Sequence, residues 1–234
     1  MVECNTRNLD GVRWYECTPG EWYPSVTSIL KVTSGSAPAL TNWRRSLGSG
    51  EADAARQQAL DRGTAIHEFV ERRLRGYRVA RAVPSHLRPY WDSLAPVLRR
   101  CKQPQVIERF VWHREQRYAG TLDAVCRFGG VPTLVDWKTT SSPKYLDRYL
   151  GDYRLQVTAY AAALLDTTGV EVRQCAIVVA HPDGPARVEL VNRQEMAGLW
   201  DEWRDRCAAF TAATEAAQER QEEKRTSVTD AFRW

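Results

Sequence analysis

An acidic residue and a lysine stand two positions apart in the tripeptide Asp136-Trp137-Lys138. On a β-strand, residues i and i+2 lie on the same face, so the Asp136 and Lys138 side chains would point the same way and Trp137 the other way. A carboxylate can bind a divalent cation, and a compact ammonium group can hold a phosphate or orient an attacking water. Taken alone, such a pair is more often a surface ion pair worth about 0–1 kcal/mol.

The residues on either side of this tripeptide favour the chemical interpretation. Thr133-Leu134-Val135 precedes Asp136, so the carboxylate stands at the end of an apolar, core-like strand. Hydroxyl groups suited to phosphate oxygens follow Lys138, at Thr139, Thr140, Ser141 and Ser142. We therefore predict a site for a metal ion and a phosphate at this end of the strand.

Further polar residues stand where they could reach such a site. Glu108 and Asp123 lie on the two preceding predicted strands. Gln156 and Tyr160 are four positions apart and share one face of the next predicted helix, although a partly buried polar pair is an equal alternative. His67 stands one position from the apolar stripe of a long predicted helix. Alone, it would more often be a partly buried histidine with an ordinary partner than a ligand.

Hydrophobic periodicity indicates the elements that carry these residues. Apolar residues at helical spacing predict helices over 51–75, 85–100, 153–166 and 193–224. Runs rich in β-branched and aromatic residues predict strands over 12–17, 106–112, 118–128, 133–138, 172–180 and 186–191. Short breaks between the second, third and fourth of these predict an antiparallel meander, and 186–191 is predicted to be an edge strand. A helix that starts near Tyr23 would have Ser25 or Thr27 as its N-cap.

This order of elements predicts one α/β domain over residues 1–234. Its central mixed sheet would contain the meander and would be flanked by helices. Residues from about 20 to 102 would form an N-terminal helical part and 103–192 the core that carries the site. Residues 193–225 would form a C-terminal helix and 226–234 a tail.

The net charge of +4 hides a strong asymmetry along the chain. Residues 62–102 carry a net charge of +7, and residues 195–223 carry −5. Arginine forks bind phosphate and aromatic rings stack on bases, so the region 40–102, which contains the basic segment, is a candidate DNA guide. The residues concerned are Trp43, Arg62, Tyr90 and Trp91. The alternative is that the aromatic rings belong to the core and the arginines to a solvated helix face.

Composition excludes several classes of protein. With 43% hydrophobic and 26% charged residues, the chain is not a disordered segment. No apolar run reaches the length of a membrane span, and we see no secretory signal or mitochondrial presequence, so we expect a cytoplasmic location in a bacterial or phage-infected cell. Six scattered cysteines without a Cys-x-x-Cys pair argue against zinc.

Five motifs stand in the order seen in RecB-like nucleases of the PD-(D/E)xK superfamily. They are Tyr23-Pro24-Ser25-Val26-Thr27, Arg62-Gly63-Thr64-Ala65-Ile66-His67-Glu68, Gly120-Thr121-Leu122-Asp123, Val135-Asp136-Trp137-Lys138-Thr139 and Leu155-Gln156-Val157-Thr158-Ala159-Tyr160. The chain most resembles the mitochondrial genome maintenance exonuclease group and its phage and bacterial relatives, over about residues 20–210. The resemblance implies a restriction-endonuclease-like core and a metal-dependent DNA exonuclease that acts on single-stranded ends.

The resemblance also implies roles for individual residues. The metal ligands would be His67, Glu108, Asp123, Asp136 and the carbonyl of Trp137, around one or two Mg²⁺ or Mn²⁺ ions. The catalytic residues would be Asp123, Asp136, Lys138, Gln156 and Tyr160. The DNA contacts would be Ser25, Thr27, Trp43, Arg62, Tyr90, Trp91, Thr139, Thr140 and Ser141.

Three further expectations concern cofactors, partners and alternatives. Some relatives carry an iron–sulfur cluster on four cysteines, three of them clustered late, whereas the late cysteines here are Cys175 and Cys207, so we expect no cluster. We expect a monomer that binds DNA with a free end, and no protein partner is indicated. Two alternatives stay open: a structure-specific endonuclease of the same superfamily, or a non-catalytic DNA-binding protein on a decayed nuclease fold.

Overall fold

The computed structural model describes residues 4–34, 49–142, 144 and 146–231. The first element along the chain is a small sheet, of which the sequence predicted only the middle strand. The antiparallel strands β1 (Thr6–Leu9), β2 (Val12–Thr18) and β3 (Glu21–Pro24) lie in the order β1-β2-β3. Asp10 and Gly11 turn β1 into β2 with φ values of 50° and 78°, and an Asp-Gly pair is the usual signal for such a hairpin. The N-terminal part is therefore not purely helical, because this turn signal outweighs the weak periodicity around it.

The helices that precede the main sheet lie close to their predicted positions. α1 (Val26–Thr33) has Ser25 as its N-cap, and the Ser25 side chain accepts a hydrogen bond from the Ser28 N–H at 3.0 Å. α2 is Ser49–Leu74, and α3 (Arg88–Leu98) follows two short 3₁₀ turns.

A five-stranded mixed sheet forms the centre of the chain. Its strands are β4 (Cys101–His113), β5 (Tyr118–Phe128), β6 (Val131–Thr139), β7 (Gln174–Ala180) and β8 (Arg187–Asn192), in the order β4-β5-β6-β7-β8. β4, β5 and β6 form the predicted antiparallel meander, and β6 pairs in parallel with β7. α4 (Leu146–Thr168) is the crossover that a parallel pair requires. The predicted fold class is confirmed.

Each face of this sheet covers a separate hydrophobic core. Leu134 of β6 lies in a first core with residues of α1 and α4 and with Trp203, whereas the next residue, Val135, lies in a second core with residues of α2 and α3. Trp137 also belongs to the second core and is almost fully buried. The period of two along β6 therefore places Asp136 on the α4 side and the Trp137 ring on the α2 side.

The last helix, α5 (Arg193–Ala231), packs on the first core. It buries Trp203, Cys207 and Phe210, and Leu199 packs against them, as the predicted stripe requires. The Arg206 guanidinium donates to the carbonyl oxygen of Thr33 at 2.5 Å, which joins α5 to the end of α1. None of the described helices combines the length and the apolar character that a membrane crossing requires.

Candidate functional site

Asp123 and Asp136 face each other where β5 and β6 separate. Ala124 and Val135 form the last pair of this ladder, so the next two residues along the strands are the two aspartates. Beyond that pair the Trp137 N–H donates to Asp123 Oδ2 at 2.7 Å instead of to a strand carbonyl. The separation of the strands therefore brings two carboxylates together in a largely buried place.

Burial, followed by the charge of Asp136, raises the pKa of Asp123 to about 6. A carboxyl group whose pKa is raised in this way lacks sufficient positive charge around it. Asp136 is 1% exposed, and neither of its oxygens accepts a hydrogen bond of ordinary geometry from the described part of the chain. Two buried carboxyl groups beside a single lysine lack full charge compensation, so the arrangement favours an added cation.

Lys138 contributes one positive charge to this place. Its Nζ lies 2.6 Å from Asp136 Oδ2, so the i and i+2 residues of the tripeptide do share a face. Burial by itself lowers the pKa of Lys138, but the charges of Asp136 and Asp123 outweigh burial and the pKa lies above its ordinary value. In this arrangement Lys138 is therefore an ammonium ion at neutral pH and can donate hydrogen bonds.

A second group of possible ligands stands beside the aspartates. One ligand atom each from His67, Glu108 and Asp123 lies within 4.8 Å of the other two. Nδ1 of His67 is 3.6 Å from Asp123 Oδ1, and Nε2 of His67 is 2.7 Å from the carbonyl oxygen of Trp137. Because that carbonyl can only accept, a neutral His67 carries its proton on Nε2 and turns the lone pair of Nδ1 toward the carboxylates.

Glu108 occupies an unusual backbone conformation. Its neighbours Ile107 and Arg109 pair with Ala124 and Leu122, which places Glu108 opposite Asp123. Its φ of 48° lies in the left-handed region, which costs a non-glycine residue about 1–2 kcal/mol. Burial, followed by the charge of Asp123, raises the pKa of Glu108 to about 7. Strain and raised pKa values of this kind cluster at functional sites.

These donors fit a divalent metal ion. Two carboxylates and an imidazole converge within ligand distance of one another, and the two carboxyl groups repel each other when both are ionised. Carboxylate oxygens suit Mg²⁺ and Mn²⁺, and an imidazole nitrogen is compatible with the latter. Asp136 lies outside this three-residue set because its Oδ2 faces Lys138, although its charge acts on Asp123.

Gln156 and Tyr160 form a buried wall on the α4 side. Gln156 Nε2 donates to the Tyr160 hydroxyl at 3.4 Å, and burial followed by the charge of Asp136 raises the pKa of Tyr160. The Tyr160 ring lies against Gly120, where an added Cβ would stand 2.7 Å from the Tyr160 Cε1 atom. The ring therefore requires glycine at position 120.

Two residues that the sequence did not single out also contribute to the site. The Lys138 Nζ lies 5.2 Å from the centroid of the Tyr153 ring, and Tyr153 stands three positions before Gln156 on the same helix face. Glu71 follows His67 by one helical turn, and its charge helps to raise the pKa of Glu108. The sequence contains a signal for both residues: Tyr153 lies one helical turn before Gln156, and Glu71 lies one turn after His67, on the same helix faces.

Ser25 and Thr27 lie near the site but have local partners. Ser25 is buried, and its hydroxyl caps α1 and donates to the Ser28 hydroxyl at 2.8 Å. Thr27 is exposed, with its hydroxyl 3.1 Å from that of Ser25. Ser25 also forms an isolated bridge with Ala119, so the start of α1 approaches Gly120, against which the Tyr160 ring packs.

The predicted aromatic contacts to DNA are not supported at two positions. Tyr90 and Trp91 are 8% and 5% exposed and pack in the second core, so neither ring offers a face to a base. The apolar stripe of α3 explains their burial, which local sequence could not distinguish from stacking. The Arg62 guanidinium lies 5.0 Å from the Tyr90 ring centroid, and Trp43 falls outside the described residues.

The hydroxyl-rich stretch after Lys138 is partly accessible. Thr139 is half-buried and Ser141 is exposed. The Thr140 hydroxyl donates to the Ser142 carbonyl oxygen at 2.8 Å, and the Thr140 N–H donates to the Ala180 carbonyl oxygen at 3.0 Å, so Thr140 serves the turn between β6 and α4.

Comparisons with known proteins agree with the motifs. The sequence matches the model of the PD-(D/E)XK nuclease superfamily over residues 42–229. Mitochondrial genome maintenance exonuclease 1 of Mus musculus is 34% identical over 125 residues, which are 52% of this chain and 37% of that protein. The Homo sapiens protein of the same name is 28% identical over 199 residues, or 80% of this chain and 58% of that protein. The chain thus spans less than two thirds of either relative.

Solved structures are also similar to this chain, and one example is an exonuclease. The crystal structure of an alkaline exonuclease from Laribacter hongkongensis aligns with a TM-score of 0.46 and 15% identity, over 87% of this chain and 93% of that one.

Proposed function

Because the chain belongs to the PD-(D/E)XK nuclease superfamily, we propose that it is a metal-dependent DNA exonuclease that hydrolyses phosphodiester bonds from the ends of single strands. The observation that carries the proposal is the set of ligand atoms from His67, Glu108 and Asp123, next to the Asp136–Lys138 pair. The two relatives bear exonuclease names, which supports cleavage from an end.

The carboxylates explain why the activity should depend on a metal. At about 4 Å and an effective dielectric constant of ~20, each carboxylate–phosphate pair repels by about 4 kcal/mol. His67, Glu108 and Asp123 would hold Mg²⁺ or Mn²⁺, with Asp136 and the Trp137 carbonyl as further oxygen ligands. When bound, such an ion supplies charge compensation for the phosphate and lowers the pKa of a water molecule.

The chain's own residues position the phosphate and the ligands. Lys138 is an ammonium ion beside Asp136, so it can donate to a phosphate oxygen and stabilise the negative charge that develops there. The Trp137 N–H fixes the orientation of Asp123 by its bond to Oδ2. Gln156 and Tyr160 close the α4 side and exclude water from it.

A basic surface on the α2 side supports a DNA substrate. It consists of Arg73, Tyr77, Arg78 and Arg81 around a cavity of about 560 Å³, with Trp91 at its edge. Tyr77 is 60% exposed, so its ring can accept a base where the buried Tyr90 and Trp91 cannot. Arg73 follows His67 by six positions on α2, so this surface lies within two helical turns of the site along that helix.

A cleavage assay tests the proposal and its alternatives. The substrates are end-labelled linear single strands, linear duplexes, circular single strands and RNA, each with Mg²⁺, with Mn²⁺ and with EDTA. We expect ladders from linear single-stranded DNA with either metal, intact circles and no reaction in EDTA. Cut circles would instead indicate an endonuclease, and binding without cleavage under every condition would indicate a non-catalytic protein.

A further inference from the structure

One face of α4 carries a row of side chains that passes from solvent into the site. Tyr149, Tyr153, Gln156 and Tyr160 are spaced by four, three and four positions, so they share a helix face. Tyr149 is 40% exposed, Tyr153 is half-buried, and Gln156 and Tyr160 are buried. The inner pair forms the wall of the site, and nothing described above gives the outer pair a role in binding.

The two outer rings extend outward from Lys138. The Tyr153 ring centroid is 5.2 Å from the Lys138 Nζ, and the Tyr149 and Tyr153 rings are 6.4 Å apart with an interplanar angle of 29°. Tyr153 packs against the first core, whereas Tyr149 belongs to neither of the two main cores. Packing therefore explains the position of Tyr153 but not the presence of a large ring at position 149.

An exposed ring beside a phosphate-binding lysine has a specific use if the substrate is a single strand. Proteins that bind single strands without sequence preference combine cations for the backbone with aromatic rings on which bases stack. The hydroxyl-rich turn at 139–142 joins Lys138 to the start of α4, so backbone and base contacts would lie at the same end of the sheet.

We propose that Tyr149, supported by Tyr153, is a stacking site for an unpaired base of the bound strand next to the scissile phosphate. This inference rests on the proposed function, because it requires a nucleic-acid strand at Lys138. Tyr149 lies on α4, whereas the exposed Tyr77 ring belongs to the basic surface on the α2 side, so the two are separate places for a base. A base held in a duplex would have to leave its stack to reach Tyr149, which favours single-stranded ends.

The test compares two oligonucleotides that differ only in the bases near one end. Both are end-labelled single strands of thymidines, and one of them carries three consecutive abasic residues at the 5′ end. A second pair is the same except that the abasic residues stand at the 3′ end. Steady-state cleavage with Mg²⁺ yields KM and kcat for the wild type, Tyr149→Ala, Tyr149→Phe and, as a matched control, Leu165→Ala. Leu165 is a large exposed residue on the opposite face of the same helix.

We expect the wild type to show a KM about tenfold higher for the abasic strand of one pair, which corresponds to about 1.4 kcal/mol of binding. Tyr149→Ala should raise the KM for the intact strand by a similar factor and remove the difference between the strands, with little change in kcat. Tyr149→Phe and Leu165→Ala should behave as the wild type.

Failure of this inference is distinguishable from failure of the proposed function. Equal KM values in the wild type, or discrimination that survives in Tyr149→Ala, would overturn the stacking site while cleavage itself persists. If no DNA is cut, the exonuclease proposal fails, and the same oligonucleotides titrated in Mg²⁺ with fluorescence anisotropy decide the stacking site. Tighter binding of the intact strand that is lost in Tyr149→Ala would support it, and equal binding would overturn it.

Discussion

The imidazole of His67 is held against the backbone of Trp137, with Nε2 2.7 Å from the carbonyl oxygen, although 70 positions separate the two residues. The Trp137 N–H meanwhile binds Asp123, and the Trp137 ring fills the second core. One buried residue therefore fixes a helix-borne ligand and a strand-borne ligand relative to each other. The packing of α2 on the sheet is thus part of the geometry of the site.

Replacing His67 should weaken metal binding without unfolding the protein. We expect His67→Ala to lose about 10- to 100-fold in affinity for Mn²⁺, because one of three converging ligands is removed. Isothermal titration with Mn²⁺ measures the affinity, and circular dichroism measures the melting temperature. His181, which lies outside this cluster, offers a matched control as His181→Ala. Unchanged affinity in His67→Ala would remove His67 from the ligand set.

Replacing Lys138 should abolish cleavage and also affect stability. Lys138→Ala removes the ammonium ion 2.6 Å from Asp136 and leaves a buried carboxylate without its cation. Breaking a buried pair in this way costs at most about 3–5 kcal/mol. We therefore expect the melting temperature of Lys138→Ala to lie below that of the wild type, and the difference to be larger at pH 8 than at pH 5. Gel assays in Mg²⁺ and thermal melts at both pH values measure the two effects. Wild-type cleavage by Lys138→Ala would contradict the assigned site.

The parts of the site that follow local rules were predictable from the sequence. The period of two along β6 gives Asp136 and Lys138 one face and Trp137 the other, and the Ser25 cap follows from its side-chain chemistry. Both depend on neighbours in the chain, so the sequence contains enough information. The hairpin at Asp10-Gly11 also follows a local rule, because an Asp-Gly pair is typical of such a turn.

Other features depend on contacts between distant elements. The sequence around Tyr90 and Trp91 is compatible with stacking on bases and with packing in the core. The position of α3 on the sheet distinguishes the two, because it buries both rings in the core. The left-handed backbone of Glu108 arises from how β4 pairs with β5, which residue types do not indicate. The bond between His67 and Trp137 likewise exists only once α2 packs on β6.

The contribution of Asp123 and Glu108 to the stability of the metal-free protein should decrease as the pH rises from about 4 to 7. The folded-state pKa values of Asp123 and Glu108 are raised to about 6 and about 7, so the folded state binds more protons than the unfolded state within this window. This contribution to the free energy of unfolding therefore falls with pH, by on the order of 3 kcal/mol for a shift of about two units. Thermal melts in EDTA across the window measure the slope.

Two controls accompany this pH series. Glu108→Gln should reduce the slope, because one of the two raised groups no longer titrates. Mn²⁺ should raise the melting temperature more at pH 7 than at pH 5, because the metal binds the ionised carboxylates. The same slope in Glu108→Gln and in the wild type would contradict the raised pKa of Glu108.

The basic surface should determine how steeply DNA binding depends on salt. Each phosphate contact with a single strand contributes about 0.7 to the slope of log affinity against log salt. We expect Arg73→Ser, Arg78→Ser and Arg81→Ser to reduce this slope by up to about 0.7 each, as measured by fluorescence anisotropy from 50 to 300 mM salt. Arg193→Ser makes the same change of charge on α5 and should leave the slope unchanged. An unaltered slope in the triple variant would exclude this surface from DNA binding.

Gly120 should be intolerant of a side chain because the Tyr160 ring occupies the space that a Cβ would need. In Gly120→Ala the added atom would stand 2.7 Å from Tyr160 Cε1, and overpacking of this kind costs about 1–3 kcal/mol. For a chain of this size we expect the melting temperature to fall by about 2–10 °C. Cleavage should also slow, since a displaced Tyr160 no longer closes the wall beside Asp136.

The Gly120 prediction has a rescue and a matched control. Tyr160→Leu should relieve the contact, so the double variant should lose less stability than the sum of the two single variants. Gly151→Ala places the same methyl group on α4, where no atom lies within 4 Å, and it should stabilise the helix by up to about 1 kcal/mol. Strict additivity of Gly120→Ala and Tyr160→Leu would show that the two positions do not interact and that the wall is not formed as described.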